Sequence, residues 1–302
     1  MISTTEEKFL SDKRVHVLVT GADGQLGTAL RAVFNDDEAV FVRRDEMDIT
    51  DFDAVKRVVF SQPFTHVINC AAYTAVDKAE TETELCRRVN VDGVHNIIAA
   101  IKDTGAGLIH FSTDYVFDGK KDTPYVEDDD AQPLSVYGRT KRESEVLIVN
   151  EAPDSLIIRT GWLYSPYGRN FVKTILAKGL ETRRLRVVND QTGTPTNADD
   201  LAAAVVSIVR GKLWTPGIFH YTNQGEATWY DFASEIARLA LPGVEVQPCT
   251  TADFGAAALR PAFSVLDKTK IKETYNLQIP DWRHSLSACL RNIKQNLTNV
   301  DI

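Results

Sequence analysis

The chain has 302 residues, 43% hydrophobic and 25% charged, with a formal net charge of −8 and a pI near 5.3. That length allows one large domain or two moderate ones around a sizeable core, and the acidic balance excludes a general nucleic-acid or anionic-membrane surface. No apolar run approaches the ~20 residues that span a bilayer, and the four cysteines lack C-x-x-C spacing, which speaks against a disulfide framework or metal site and for a reduced, cytoplasmic setting.

The opening MISTTEEKFLSDKR is polar and has no apolar segment, so residues 1–13 read as a frayed extension, not a signal peptide. Val15–Thr20 is an apolar run of strand length that meets Gly21 at once, and Leu26–Phe34 then has helical spacing. Ala39–Val42 is a second strand, Phe52–Phe60 an amphipathic helix, His66–Cys70 a third strand and Glu82–Ile101 a long helix. Leu108–Phe111, the helix Ser135–Val149 and Leu156–Arg159 continue the alternation. Continuously apolar strands separated by helices predict an α/β fold, a Rossmann-like doubly wound parallel sheet covered on both faces, over residues 14–160. From 161 to 302 the rhythm is irregular. Loops such as Ser165–Asn170, Asn189–Asn197 and Thr215–Gly217 separate helices Asp199–Val209 and Tyr230–Leu239. This half reads as a smaller, partly interleaved substrate lobe, some of whose segments return to the main domain.

Gly21, Gly24 and Gly27 follow the first strand and open a helix, the context that gives a glycine fingerprint meaning. Gly21 permits a sharp turn, Gly24 lets backbone N–H groups (with Gln25 and Leu26) approach a pyrophosphate, and Gly27 lets the helix pack closely. The spacing G-x-x-G-x-x-G resembles the extended short-chain dehydrogenase/reductase pattern. Arg43 and Arg44 end the second strand and suit a 2′-phosphate, which points to NADPH with NADH as the alternative. An exposed Arg pair beside Asp45 is also an ordinary surface feature. In the short-chain pattern Asp48 and Ile49 border the adenine, and Ala71, Ala72 and Tyr73 leave room for the cofactor.

Tyr137 and Lys141 stand at i and i+4 on one helix face. A phenol with a pKa of about 10 is a poor proton donor–acceptor at neutral pH, and a nearby cation lowers it. Alone, such a pair is common on exposed helices. With the glycine loop upstream and Thr113 before it, the order hydroxyl, phenol, lysine resembles the short-chain reductase triad. Asn90 fits the asparagine that supports that lysine through water, and equally a helix-surface residue.

Segments 21–27, 70–80, 111–119, 133–141, 159–174, 187–202 and 260–267 together resemble the dTDP-4-dehydrorhamnose reductases. The resemblance implies NAD(P)H reduction of the C4 ketone of dTDP-4-dehydro-L-rhamnose. Thr113 would orient the carbonyl, Tyr137 donate the proton, and Lys141 tune it and grip the cofactor. Asp114 and Tyr115 would lie near the sugar with Trp162, which on its own reads as core packing, while Asn170, Gln191 and Arg260 would contact the thymidine diphosphate. Some relatives dimerise through a metal held by glutamates. Here one such position is Ala29, so a monomer or weak homodimer without metal is expected, with association with upstream dTDP-rhamnose enzymes a further expectation. A nucleotide-sugar dehydratase would carry Glu where this chain has Tyr115. A nucleotide-sugar reductase of other specificity, a 4-epimerase and a non-catalytic NADP-binding subunit like the methionine adenosyltransferase β subunit are the remaining alternatives.

Overall fold

The structure is a computed structural model, and it describes residues 15–298; the expected extension over residues 1–13 lies outside them. Among the described residues twelve strands run in chain order: β1 Val17–Thr20, β2 Ala39–Val42, β3 His66–Asn69, β4 Gly107–Thr113, β5 Leu156–Thr160, β6 Leu163–Tyr164, β7 Arg184–Val188, β8 Thr192–Gly193, β9 Thr196–Asn197, β10 Gly217–His220, β11 Ala227–Thr228 and β12 Glu245–Cys249. The helices are α1 Gln25–Arg31, α2 Phe52–Val59, α3 Val76–Ala79, α4 Thr83–Arg87, α5 Gly93–Ile101, α6 Val136–Glu151, α7 Phe171–Thr182, α8 Ala198–Arg210, α9 Trp229–Ala240, α10 Thr251–Phe254, α11 Thr269–Tyr275 and α12 Trp282–Thr298. None of the described helices is long and apolar enough to cross a membrane.

Six strands form one all-parallel sheet in the order β10-β5-β4-β3-β1-β2. Chain order reverses between β1 and β3, and in doubly wound sheets ligands bind outside the carboxyl ends at that switch point. The two faces carry separate apolar clusters, as a parallel sheet requires. Val17, Val19, Ile109 and Ile158 face one way, against α1 and α8; Leu18, Val67, Leu108 and Ile157 face the other, against α2 and α5.

Several elements differ from their predicted extents. The helix expected over Glu82–Ile101 is α4 and α5 joined by a π-helical segment, Arg88–Asp92, in which the extra residue is not visible as a break in apolar spacing. Strand β4 runs two residues past Phe111, so Ser112 and Thr113 are still in the ladder, Thr113 opposite Thr160. Gly217, read as the end of a loop, begins β10, which adds to the sheet edge beside β5. α8, β10 and α11 therefore share the main core through Leu201, Phe219 and Ile271. A separate cluster around Phe232, Tyr164 and Trp282 holds together α7, α9, α12 and the β7–β12 pair.

Candidate active site

The glycine loop is shaped by close approach. Gly21 has φ +63°, and a Cβ there would lie 2.7 Å from the Ala71 backbone nitrogen, where β3 ends. A Cβ on Gly27 would lie 2.4 Å from the Gly21 carbonyl oxygen, so only glycine lets α1 rest on its own entry loop. Gly24 is the N-cap and brings no side-chain acceptor, which leaves the first-turn N–H groups of α1 facing the cavity. Thr20 and Asn69, paired across β1 and β3, are tied by a 2.7 Å hydrogen bond from the Thr20 hydroxyl, and the Ala71 N–H donates to Asn69 Oδ1 at 3.2 Å.

The polar block at the end of β4 forms the floor. Thr113 Oγ1 accepts from the Tyr115 N–H, capping the short 3-10 turn Asp114–Val116, and donates to Asp114 Oδ1 at 3.0 Å. Ser264, not anticipated from sequence, donates to Asp114 Oδ2 at 2.6 Å. Both carboxylate oxygens are thus occupied, and a Cβ on Gly161 would touch the Asp114 carboxyl at 2.6 Å. Burial raises the Asp114 pKa to about 6 against those two hydrogen bonds.

Ser135 caps α6 by accepting from the Gly138 N–H, which directs Tyr137 and Lys141 into the cavity that Thr113 lines. A Cβ on Gly138 would meet the Tyr115 carbonyl oxygen at 2.3 Å, so this helix starts hard against the floor. Burial pushes the Tyr137 phenol upward, with the Asp114 charge adding to it and a hydrogen bond with the Thr113 side chain opposing. Lys141 is 2% exposed and its pKa is lowered to about 8, chiefly by burial. Its Nζ rests 3.0 Å from His110 Nε2, a partner the sequence did not point to. The direct hydrogen bonds of Asn90 go elsewhere than to that lysine: its Oδ1 accepts the Tyr73 N–H, and its Nδ2 donates to the Tyr73 carbonyl and to Thr140 Oγ1. It holds the loop after β3 against α6.

Three cavities follow one another along the carboxyl edge. The first, about 640 Å³, is bordered by Asp23, Arg43, Arg44, Asp45 and Asp48. Arg43 pairs with Asp45 and Arg44 with Asp48, all partly exposed, while Ile49 is buried beneath them. The second, about 650 Å³, shares Asp23 with the first and is lined by Gly24, Gln25, Leu26, Gly27, Ala72, Thr113, Asp114, Tyr115, Tyr137, Lys141, Trp162 and Asn170. The third, about 610 Å³, shares Tyr115, Val76 and Trp229 with the second and contains Gln191, Arg260, Lys178, Arg184 and Arg186. Trp162 sits at φ +50°, a conformation costing on the order of 1–3 kcal/mol for a side-chain-bearing residue, held by a flat stack on Trp229 at 3.5 Å between centroids. Asn170 caps α7 and gives Nδ2–H to Gln25 Oε1 at 3.0 Å, joining the C-terminal lobe to the glycine loop. Gln191 donates to Thr251, and Arg260 makes a two-point pair with Asp77 at 3.0 and 2.7 Å while lying beside Tyr115.

The model of the family described as RmlD substrate binding domain matches residues 15–295. A dTDP-4-dehydrorhamnose reductase of Aggregatibacter actinomycetemcomitans is 40% identical over 283 residues, covering 89% of this chain and 96% of the relative. The chain belongs to the dTDP-4-dehydrorhamnose reductase family. It is thereby an oxidoreductase of the nucleotide-sugar-modifying branch. Another relative in this family, a dTDP-4-keto-6-deoxy-D-glucose reductase of Streptomyces niveus, is 38% identical over 275 residues, 89% of this chain and 94% of its own length. The crystal structure of the Bacillus anthracis dTDP-4-dehydrorhamnose reductase in complex with NADP aligns with a TM-score of 0.88 at 36% identity, covering 93% of this chain and all of that one.

Proposed function

We propose that the protein uses NADPH to reduce the C4 ketone of dTDP-4-dehydro-L-rhamnose, with Tyr137 as the proton donor. The observation that carries this reading is the meeting of Thr113, Tyr137 and Lys141 in the middle one of three consecutive cavities. The glycine loop fits a pyrophosphate because its backbone comes within contact of the β3 exit with no side chain between. Arg43 and Arg44 fit a 2′-phosphate, which would take the place of their present carboxylate partners. A reduced nicotinamide supplies the hydride. The chain's own residues do the rest: Thr113 orients the carbonyl oxygen, Tyr137 gives it a proton, and Lys141 restores the phenol's acidity and grips the ribose. The third cavity suits a thymidine diphosphate, with Arg260, Arg186 and Lys178 as cations and Phe171 and Trp229 as apolar walls.

In this reading residues 14–160 chiefly hold the cofactor and 161–302 chiefly the sugar nucleotide, and the protein works in the cytoplasm as a monomer or weak dimer. Ala29 is 1% exposed within the core, a position without a ligand atom. Tyr115, half-buried and beside Tyr137 at 6.3 Å between ring centroids, offers no carboxylate for dehydration. The intact cluster of Thr113, Tyr137 and Lys141 disfavours the non-catalytic subunit. A second substrate, another dTDP-4-keto-6-deoxy sugar, is favoured by the likeness to the Streptomyces niveus reductase.

Loss of NADPH absorbance decides among these. The dTDP-4-keto-6-deoxy sugar is generated enzymatically from dTDP-glucose, once with and once without the epimerase that yields the L-configured ketone. Oxidation only with epimerase present supports the rhamnose reading; equal or faster oxidation without it supports the second substrate; none in either overturns both. Tyr137→Phe is expected to lose ~10²–10⁴-fold in turnover with NADPH affinity nearly unchanged. Retention of a tenth of the wild-type rate would remove Tyr137 as principal acid.

A further inference from the structure

Beneath the nicotinamide end of the middle cavity runs a buried polar chain, Thr20–Asn69–His110, that ends on Lys141, and the reaction as described uses only the lysine. Its hydrogen-bond inventory fixes where protons stand. Asn69 Oδ1 takes the Ala71 N–H at 3.2 Å and the Thr20 hydroxyl at 2.7 Å. The Ala71 N–H also reaches Thr20 Oγ1 at 3.3 Å, and the amide oxygen of Asn69 gives it a second acceptor where the amide nitrogen would set hydrogen against hydrogen. The amide nitrogen therefore faces His110 Nδ1 at 3.1 Å, and Nδ1 accepts. His110 is 1% exposed, and burial holds it neutral. A neutral imidazole carries one proton, so it sits on Nε2.

Nε2–H points at two atoms. Ser144 Oγ, at 3.3 Å, gives its own proton to the Lys141 carbonyl at 2.7 Å and can only accept. Lys141 Nζ stands at 3.0 Å. An ammonium has three donors and no lone pair, so it would oppose Nε2–H with a second hydrogen; a neutral amine offers the lone pair that this contact needs.

We propose that His110 is a positioning residue that holds Lys141 as a neutral amine in mildly alkaline solution, and that binding of NADPH there is coupled to the uptake of one proton by that amine. The inference rests on the cofactor reading above. The placement on His110 and a grip on ribose hydroxyls are two stations of one side chain, of which the structure shows the first. The proton comes from solvent and makes the third N–H bond of the ammonium; no other bond changes. A pyrophosphate anion in the same cavity favours the charged form. Burial of Lys141 favours the neutral amine, while the Glu145 carboxylate and Cys86 favour the charged form without outweighing it. From β4 comes neutral His110, and from α4 the thiol of Cys86, itself raised by burial. On α6 stand Tyr137, also raised, and Glu145, whose carboxylate is already shared by Arg159 and Arg142. Asp114 beyond Tyr137 is committed to Thr113 and Ser264.

Isothermal titration calorimetry of NADPH binding to the full chain at pH 9, in buffers of different protonation enthalpy, counts the protons. At that pH the cofactor's 2′-phosphate, with a pKa of about 6 as for other phosphate monoesters, is already ionised. Wild type is expected to take up close to one proton per site and Lys141→Met none. His110→Gln is expected to take up less than half, because a free amide can turn its oxygen to an ammonium, a choice that Asn69 denies to the histidine. Binding by wild type without proton uptake overturns the proposal, as does undiminished uptake in either variant. Failure of wild type to bind NADPH at all would instead overturn the cofactor reading.

Discussion

Asp114 is a carboxylate with two donors and almost no water, and the balance between them sets a measurable pH dependence. Its pKa in the folded chain is about 6 against an ordinary 3.8, so between those values the folded state binds the proton that the unfolded state releases. Stability from this group is therefore full below about pH 4 and falls as pH rises towards 6, by roughly 3 kcal/mol for a shift of about two units. Asp114→Asn cannot titrate. Denaturant unfolding from pH 4 to 6.5 is expected to show the variant gaining on wild type by ~2–3 kcal/mol across that window; parallel curves would show that the carboxyl is solvated. The same residue shows how a site can be read only in part from sequence. Its place beside Thr113 is legible in FSTD, whereas its second partner, Ser264, is 150 positions away and is brought in by the return of the C-terminal segment. Trp162 differs again: its type alone reads as core packing and the family resemblance sets it by the sugar, while its left-handed backbone and its stack on Trp229 are consequences of lobe packing.

Among elements, α1 depends most on a missing side chain. A Cβ at Gly27 would press on the Gly21 carbonyl at 2.4 Å and on the Ala22 Cα at 2.7 Å, both backbone atoms that cannot swing aside. Gly27→Ala is expected to cost ~1–3 kcal/mol in stability and to weaken NADPH binding by at least tenfold, read by thermal unfolding and by quenching of protein fluorescence. Unchanged affinity would mean that the loop can relax without losing its shape. This loop, the first five sheet strands and α6 were legible because each is specified locally, by glycine spacing, by apolar runs and by a Ser cap. The π-helical segment between α4 and α5 was not, since one inserted residue leaves the apolar stripe nearly in phase. Nor was the partner of Lys141. His110 lies within β4, and its contact spans 31 positions between a strand and a helix. The helix spacing that put Tyr137 and Lys141 on one face gave no information about what else that face would meet.

Across the whole molecule, two further ties join the lobes over the cleft besides the Ser264–Asp114 hydrogen bond. Gln25 of the glycine loop receives Asn170 and Ser165, and Asp77 at the start of α3 receives Arg260 and the Ala258 N–H. Asp77 is about half exposed, so the pair itself adds less than ~1 kcal/mol to stability. Its effect lies in aiming the guanidinium. Asp77→Asn is expected to leave the melting temperature within about 2 °C while raising KM for the sugar nucleotide several-fold with kcat little changed, measured by steady-state NADPH oxidation; an unaltered KM would show that Arg260 finds its orientation without help. One further feature bears on how the molecule is made. The sheet's sixth strand is β10, and α8 covers one face of the strands laid down before it. A nascent chain that has reached the end of β5 therefore presents an unpaired parallel edge and an open apolar face until a further 60 residues, 161–220, have been added. At ~5–20 residues per second that interval lasts several seconds, in which the unfinished sheet is a substrate for chaperones or for a neighbouring copy's strand.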